Sequence, residues 1–329
     1  MPSWLLKATV QGAISPLPGC DRLNYLLQKH VTGSLALTAE VFERKVAQCR
    51  RHLASYREVR GEGAAPALAL ELGTGWYPIV PVGLVLAGAK SVLTIDVSPL
   101  LDLERTVRVL ELYAAQLRSG RLEALLGPIA PDRAEAVLAA AGERAGQRDA
   151  AELLGRVGVR ALVGDARASG LAAGSVELFV SNNTFEHIPP DVLRQLMAEF
   201  ARLAAEGAVM DHFVDMSDHY AHFDGSITEF NYLRYPDRVW RLFNNRLQHQ
   251  NRLRIVDYRR IIEQAGFALV AEEAERGAPE ELAALKLARA FRGYAPEDLL
   301  VLRCWLTAVA RGRPAAGQAG APPSHPAGP

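Results

Sequence analysis

Glu71-Leu72-Gly73-Thr74-Gly75-Trp76-Tyr77-Pro78, followed downstream by Ser91-Val92-Leu93-Thr94-Ile95-Asp96, decides the fold of this chain. An apolar run from Ala67 to Leu70 enters a glycine turn, a helical pattern follows, and a second apolar run ends in an acid. That order describes the ligand corner of an open α/β sheet. Glycines there let backbone N–H groups approach a ligand closely. A carboxylate at the tip of the second strand, Asp96, can accept two hydrogen bonds from a ribose diol.

The residue three past the second glycine separates the nucleotide classes that use such a corner. Dinucleotide binders place a glycine there for close helix–strand packing beside a pyrophosphate, and here it is Pro78. Proline is tolerated in a first helical turn but does not recreate that fingerprint. Glu71 would repel a pyrophosphate, whereas it could orient a cationic amino-acid ligand. The residues point to S-adenosylmethionine.

With these segments in view, the chain resembles the class I S-adenosylmethionine-dependent methyltransferases, in a bacterial subgroup of undefined acceptor. Glu71, Gly73, Thr74 and Gly75 look like the first motif, and Asp96 like the ribose acid. Asp165 and Ala166 look like the segment that holds adenine. Val176 to Pro189, with Asn182 and Asn183, looks like the fourth strand and the loop beneath the methionine moiety. Leu17–Thr32 and Asn244–Tyr258 add to the likeness. Many members carry one more glycine where this chain has Tyr77, which either shapes the methionine end of the pocket or packs under the next helix. The resemblance implies a Rossmann-like sheet of seven strands, mostly parallel and doubly wound, with the last strand antiparallel.

Short apolar strands are expected near 67–72, 91–96, 159–163, 176–181, 206–213, 267–272 and 299–310, separated mostly by helical patterns. Residues 1–65 read as an N-terminal helical extension, either a lid or a packing layer. Residues 66–310 form the catalytic domain. Within it, 97–158 is a helical insertion and 212–254 a cap on the substrate side. Residues 311–329 are Pro, Gly and Ala with almost no large apolar side chain, and are expected to stay disordered.

Equal numbers of basic and acidic residues, 37 each, argue against bulk electrostatic attachment to nucleic acid or membrane. Cys20, Cys49 and Cys304 match no metal spacing and suit a reducing compartment. No apolar run approaches the ~18 residues of a spanning helix, and Lys7, Gln11 and Pro16 interrupt any signal-peptide core. The chain is expected in the cytoplasm, and a homodimer through the insertion is compatible with it.

Methyl transfer is an in-line displacement, so alignment comes first and a base is needed only for a hydroxyl or protonated amine. His187, His212, His219, His222 and His249 fall between the fourth strand and the helix after the fifth, at the strand ends where parallel sheets bind ligands. His219 and His222 are the first candidates for the base, with His187 as the fallback. No recognised metal spacing is present around Asp215, Asp218 and Asp224, and no metal is expected.

Residues 231–260 carry eight arginines against two acids, interleaved with aromatics. Tyr220, Trp240, Arg241 and Arg246 are the candidates for holding an acceptor, and a basic, aromatic cap suits an anionic one. The expected activity is O- or N-methylation of a small molecule. RNA is the alternative acceptor, disfavoured by zero net charge and by Ser181-Asn182-Asn183-Thr184 standing where amide and base-amine methyltransferases carry an Asn-Pro-Pro-Tyr-type motif. An aminopropyl transferase would call for acids where this cap is basic. A non-catalytic, cofactor-binding partner subunit is the rival from another class.

Overall fold

The computed structural model describes residues 3–15, 37–142, 149–245, 247 and 249–311. Arg246, the whole stretch from Leu17 to Thr32, Cys20 included, and nearly all of the 311–329 tail lie outside the described residues. The elements relevant to function are α1 (Ser3–Ile14), α2 (Ala39–Arg60), β1 (Ala69–Leu72), α3 (Ile79–Ala87), β2 (Val92–Asp96), α4 (Leu103–Arg118), α5 (Arg121–Leu126), α6 (Pro131–Gly142), α7 (Ala150–Arg156), β3 (Val159–Val163), β4 (Val176–Asn182), α8 (Pro190–Leu203), β5 (Ala204–Asp215), α9 (Asp237–Trp240), α10 (Ile255–Gln264), β6 (Phe267–Arg276) and β7 (Val301–Ala310).

The strands form one sheet in the order β3-β2-β1-β4-β5-β7-β6. The pairings of β3, β2, β1, β4 and β5 are parallel, and β7 lies antiparallel between β5 and β6. The strand positions, the antiparallel last strand and the helical 97–158 insertion follow the sequence expectation.

Alternate residues of each strand enter different cores. Ala69, Val92, Leu178 and Val209 pack with α2 to α7, while Leu70, Leu93, Phe179 and Met210 pack with α8 and α10. Both faces of the sheet are therefore covered, which is why the parallel strands read as continuous apolar runs. α8 shows the matching helical pattern, burying Leu193, Leu196, Met197, Phe200 and Leu203 along one stripe. The helices α2, α3 and α4 approach closely at Gly83, where a Cβ would stand 2.6 Å from Cys49 Sγ and 2.5 Å from Tyr113 Oη.

A third core lies outside the sheet. Trp4 and Ala8 of α1 pack with Tyr220, Phe230, Tyr232, Leu233, Trp240 and Phe291. It joins the N-terminal helix to the segment after β5, the stretch from which the cap was expected.

Candidate active site

Strand β1 has β2 on one side and β4 on the other, so successive crossovers leave it in opposite directions. Ligands bind outside the carboxyl ends of strands at such a switch point. A cleft of about 840 Å³ opens there, lined by Gly73, Thr74, Gly75, Asp96, Asp165, Ala166, Asn182 and Asn183. The structure thus brings eight of the nine cofactor candidates to one cavity wall.

The turn after β1 depends on glycine at two positions for different reasons. Gly73 has φ +85°, and a Cβ on it would stand 2.5 Å from Thr184 Oγ1. Gly75 has φ +67° with open space around it, so only its backbone conformation disfavours a side chain. Asp96 ties the corner together, its two carboxylate oxygens accepting from Gly75 N at 2.9 Å and Ser98 N at 3.0 Å. Val97, 79% exposed, adds bare apolar surface beside it.

Glu71, the ninth candidate, sits beneath the loop and does not line the cleft. Its carboxylate accepts from Thr94 Oγ1 at 2.6 Å, and Thr94 in turn meets Thr74 Oγ1. Burial raises its pKa to about 7, against the opposing Thr94 bond and the charge of Lys45. Tyr77 lines the cleft and packs on the α2–α4 core. Asp165 is exposed and held below the usual carboxylate range by hydrogen bonds from the Arg167 guanidinium and backbone.

At the end of β4, Asn183 adopts φ +55° and donates its N–H to Phe213 O at 3.0 Å. Asn182 is fixed from behind by a buried chain. Its amide nitrogen is 3.0 Å from His52 Nε2, His52 Nδ1 is 2.7 Å from Asp211 Oδ2, and Thr307 donates to Asp211 Oδ1 at 2.8 Å. Burial pushes the Asp211 carboxyl up, but the His52 bond and charge outweigh it and hold it below its ordinary value. With Nδ1–H on Asp211, His52 Nε2 accepts from the Asn182 amide. That leaves Asn182 Oδ1, which has no partner among the described residues, as an acceptor.

The histidines divide by position. His187 and His249 line the cleft and clamp each other's backbone, His187 Nδ1 to His249 O at 2.7 Å and His249 Nδ1 to His187 O at 3.0 Å. Both are held below the ordinary imidazole pKa, mainly by the protein that encloses them, with the carbonyl bonds opposing. Asn251 staples the same turn, donating to Phe185 O and Ile188 O and accepting the phenol of Tyr258. His219 and His222 do not line the cleft. Rings at 5.0 Å and 5.3 Å lead from His187 through His219 to His222, which is about half exposed beside Glu229. Burial, then His187, holds His219 below its ordinary pKa despite Asp215. His212 is a core residue between Phe185 and Phe200, pushed down to about 3 by burial.

The expected acceptor residues lie elsewhere. Tyr220 and Trp240 are 1% and 4% exposed within the third core, and Arg241 is exposed but does not line the cleft. Arg246 is outside the described residues. Two arginines of the same run are internal: Arg252 binds the carbonyls of Tyr232 and Tyr235 together with Asp237, and Arg254 binds the carbonyls of Met216, Leu299 and Val301. The cleft draws its cations instead from α2, through Arg44 and Lys45, and from Arg167. Lys45 is held below its ordinary pKa by burial, opposed by Glu71.

Sequence reasoning missed Lys45, His52 and Asp211, and placed His249 in the histidine cluster without giving it a role. Gln48 and His52 lie among Cys49, Leu53 and Tyr56 on the buried part of α2, and polar residues amid an apolar stripe were the available signal. For His249 the clustering of histidines was the signal, and its role rests on the clamp to His187.

A family model described as "Methyltransferase domain" matches residues 113–210, from mid-α4 through β5, and leaves the glycine turn and Asp96 outside the match. No curated protein matches the chain. Similar solved structures include geranyl diphosphate C-methyltransferase from Streptomyces coelicolor A3(2), in complex with Mg2+, geranyl-S-thiolodiphosphate and S-adenosyl-L-homocysteine. It is 12% identical with a TM-score of 0.43, covering 80% of this chain and 76% of that one. An S-adenosylmethionine-dependent methyltransferase from Mesorhizobium loti is 15% identical with a TM-score of 0.40, covering 78% and 96%. One from Methanosarcina mazei is 14% identical with a TM-score of 0.39, covering 74% and 92%. Overlap this loose says nothing about the acceptor.

Proposed function

We propose, from the premise that this chain is a class I S-adenosylmethionine-dependent methyltransferase, that it methylates an oxygen or nitrogen of a small, anionic acceptor. The observation that supports this reading is the reach of the cleft: it runs past the cofactor corner to His187 and His249 on one wall, with Arg44 and Lys45 contributed by α2. At about 840 Å³ it lies in the upper part of the ~300–1,000 Å³ range of small-molecule sites. A cofactor and a modest acceptor fit together in such a space.

In this reading Asp96 holds the ribose, Val97, Asp165 and Ala166 flank the adenine, and Asn182 Oδ1 accepts from the methionine ammonium. The acceptor heteroatom attacks the methyl carbon in line. Bound there, the cofactor would supply its methyl group, the S–CH3 pair returning to sulfur as the new O–C or N–C bond formed, and a neutral imidazole of the His187–His249 pair would take the acceptor proton. Arg44 and Lys45 hold the acceptor's negative group, and α2 serves as the covering layer. RNA fits less well, since Arg252, Arg254 and Arg259 are committed to internal carbonyls and carboxylates. Two buried cysteines, Cys49 and Cys304, with no disulfide among the described residues, suit a cytoplasmic setting. No helix among the described residues is long and apolar enough to cross a membrane.

The test is a screen with methyl-labelled cofactor against hydroxy- and amino-carboxylates, phosphorylated small molecules and short RNA. Label transfer to an anionic small molecule, lost in Lys45→Met, is the expected result. Transfer to RNA alone, or firm binding of S-adenosylhomocysteine with no transfer to anything, would overturn this reading in favour of the RNA enzyme or the partner subunit.

A further inference from the structure

Glu186 is 1% exposed, and neither of its carboxylate oxygens has a hydrogen-bond partner of good geometry. Its own N–H, the Asp215 N–H and the Asn183 amide lie close enough to oppose the rise that burial imposes on its pKa, without meeting full hydrogen-bond geometry. A buried carboxyl group held by hydrogen bonds this poor calls for a physical explanation, and an ion is one.

His219 has the same property. Its Nε2 is buried without a partner, while the Asp215 backbone lies in hydrogen-bonding reach of the ring. His187 completes the group: its Nδ1 is tied to His249 O at 2.7 Å, which fixes the tautomer and leaves the Nε2 lone pair available. Ligating imidazoles are commonly oriented by such a bond from the other ring nitrogen. One ligand atom from each of Glu186, His187 and His219 lies within 4.8 Å of the other two.

We infer that Glu186, His187 and His219 form a binding site for a divalent first-row transition ion at the acceptor end of the cleft. Ligand distances of about 2.0–2.2 Å bring donor atoms to within about 4 Å of one another, so small side-chain rotations close the site. Two imidazoles with one carboxylate suit zinc, iron, cobalt, nickel or manganese, whereas calcium and magnesium prefer oxygen donors throughout. The surroundings carry compensating charge. Asp215 Oδ2 is 3.9 Å from both His219 and His222, and Arg303 approaches Asp215 at 3.5 Å and binds Glu229. Asp215 already accepts from Ser217 N and Oγ, so it acts as an outer partner of the imidazoles.

Of the three, His187 alone lines the cleft, so an acceptor would reach a coordination position left open by the protein ligands from that side. An ion there would bind the acceptor heteroatom and lower its pKa, and His249 would take the proton. This use of the ion rests on the methyl-transfer reading above. The ion's binding does not.

The experiment is titration of Co2+ into untagged, chelator-stripped protein, followed by visible absorbance, with S-adenosylhomocysteine titrated calorimetrically into the same samples. Stoichiometric uptake with a coordinated-cobalt spectrum is expected, weakened by roughly 100-fold or more in Glu186→Gln and in His219→Gln, with S-adenosylhomocysteine affinity retained. Should Glu186→Gln not fold, His219→Gln carries the same comparison. No cobalt spectrum in the wild type, or equal uptake by wild type and variants, would overturn the site. Cobalt uptake without S-adenosylhomocysteine binding would leave the ion site standing and remove the methyltransferase reading instead.

Discussion

The corner where β1, β2 and β4 end and the segment that follows β5 use polar groups in opposite ways. At the corner, polar groups point into a cleft and backbone geometry sets their positions: Asp96 bridges Gly75 and Ser98, and Gly73 makes room for Thr184. In the segment after β5, polar groups turn inward and hold irregular chain together. Arg254 is fully buried and donates to three backbone carbonyls and to Tyr232, while Tyr220 donates to Phe243 O. Long loops leave many carbonyls without ladder partners, and a guanidinium with five donors satisfies several at once. A run of arginines therefore marks irregular backbone that needs donors as readily as it marks a binding surface.

Seven variants, in five comparisons, would break or sharpen this contrast. The largest effect belongs to Arg254→Ala, which takes the guanidinium donors from the carbonyls of Leu299 and Val301, leaves Met216 O with the Tyr232 hydroxyl, and should lower stability by roughly 3–5 kcal/mol. Urea unfolding measures it. Unimpaired stability together with lost turnover would move Arg254 from scaffold to site.

Next come His187→Gln and His249→Gln, each expected to lower kcat by about 100-fold or more without changing S-adenosylhomocysteine affinity. The base must be neutral to act, and both imidazoles sit below their ordinary pKa of 6.5. The acid limb of kcat/KM should accordingly lie below pH 6.5, with activity rising through it and level by neutrality. An acid limb above pH 7 would exclude this pair.

The two glycines of the turn should separate. Both alanine variants bear the left-handed backbone penalty of about 1–2 kcal/mol, but only Gly73→Ala also presses on Thr184. Cofactor affinity should fall about tenfold in Gly75→Ala and several times further in Gly73→Ala. Equal losses would mean that the contact with Thr184 does not shape the loop.

Glu71 gives a smaller, pH-dependent effect. Its folded pKa of about 7 lies above the ordinary 4.5, so the folded state keeps a proton that the unfolded chain releases earlier. Stability should decline as pH rises from about 4.5 to about 7 and then level off. Glu71→Gln should flatten that slope in thermal melts at stepped pH. A slope left unchanged would assign it to other buried acids such as Asp218, itself raised to about 6 by burial. The smallest effect is His222→Gln. About half exposed and off the cleft, it should change turnover less than twofold and stability by under about 0.5 kcal/mol; a large loss of turnover would return the catalytic role to the outer end of the histidine series.

The fold was legible because its signals are local. Each strand is an apolar run, the glycine turn follows β1 directly, and Asp96 ends β2, so periodicity and turn chemistry located them without tertiary information. The residues that line the cleft at this corner were legible for the same reason. Glu71 was recognised in the motif but not in its burial, because the direction of a β1 side chain depends on which helices cover it. The acceptor end was least legible. Lys45 and His52 reach the site from α2, His249 reaches it through a clamp to a loop sixty-two positions away, and Trp240 leaves it for a core completed by Trp4. Those placements arise from contacts between distant segments, which neither spacing nor composition encodes.

The account rests on the corner at β1, β2 and β4 being an S-adenosylmethionine site. Calorimetric titration of S-adenosylhomocysteine and, separately, NADH into the wild type and Asp96→Ala tests it most directly. Saturable binding of S-adenosylhomocysteine alone, weakened by at least about tenfold in Asp96→Ala, is the predicted result. Binding of NADH, or of neither ligand, would contradict the assignment of the cleft.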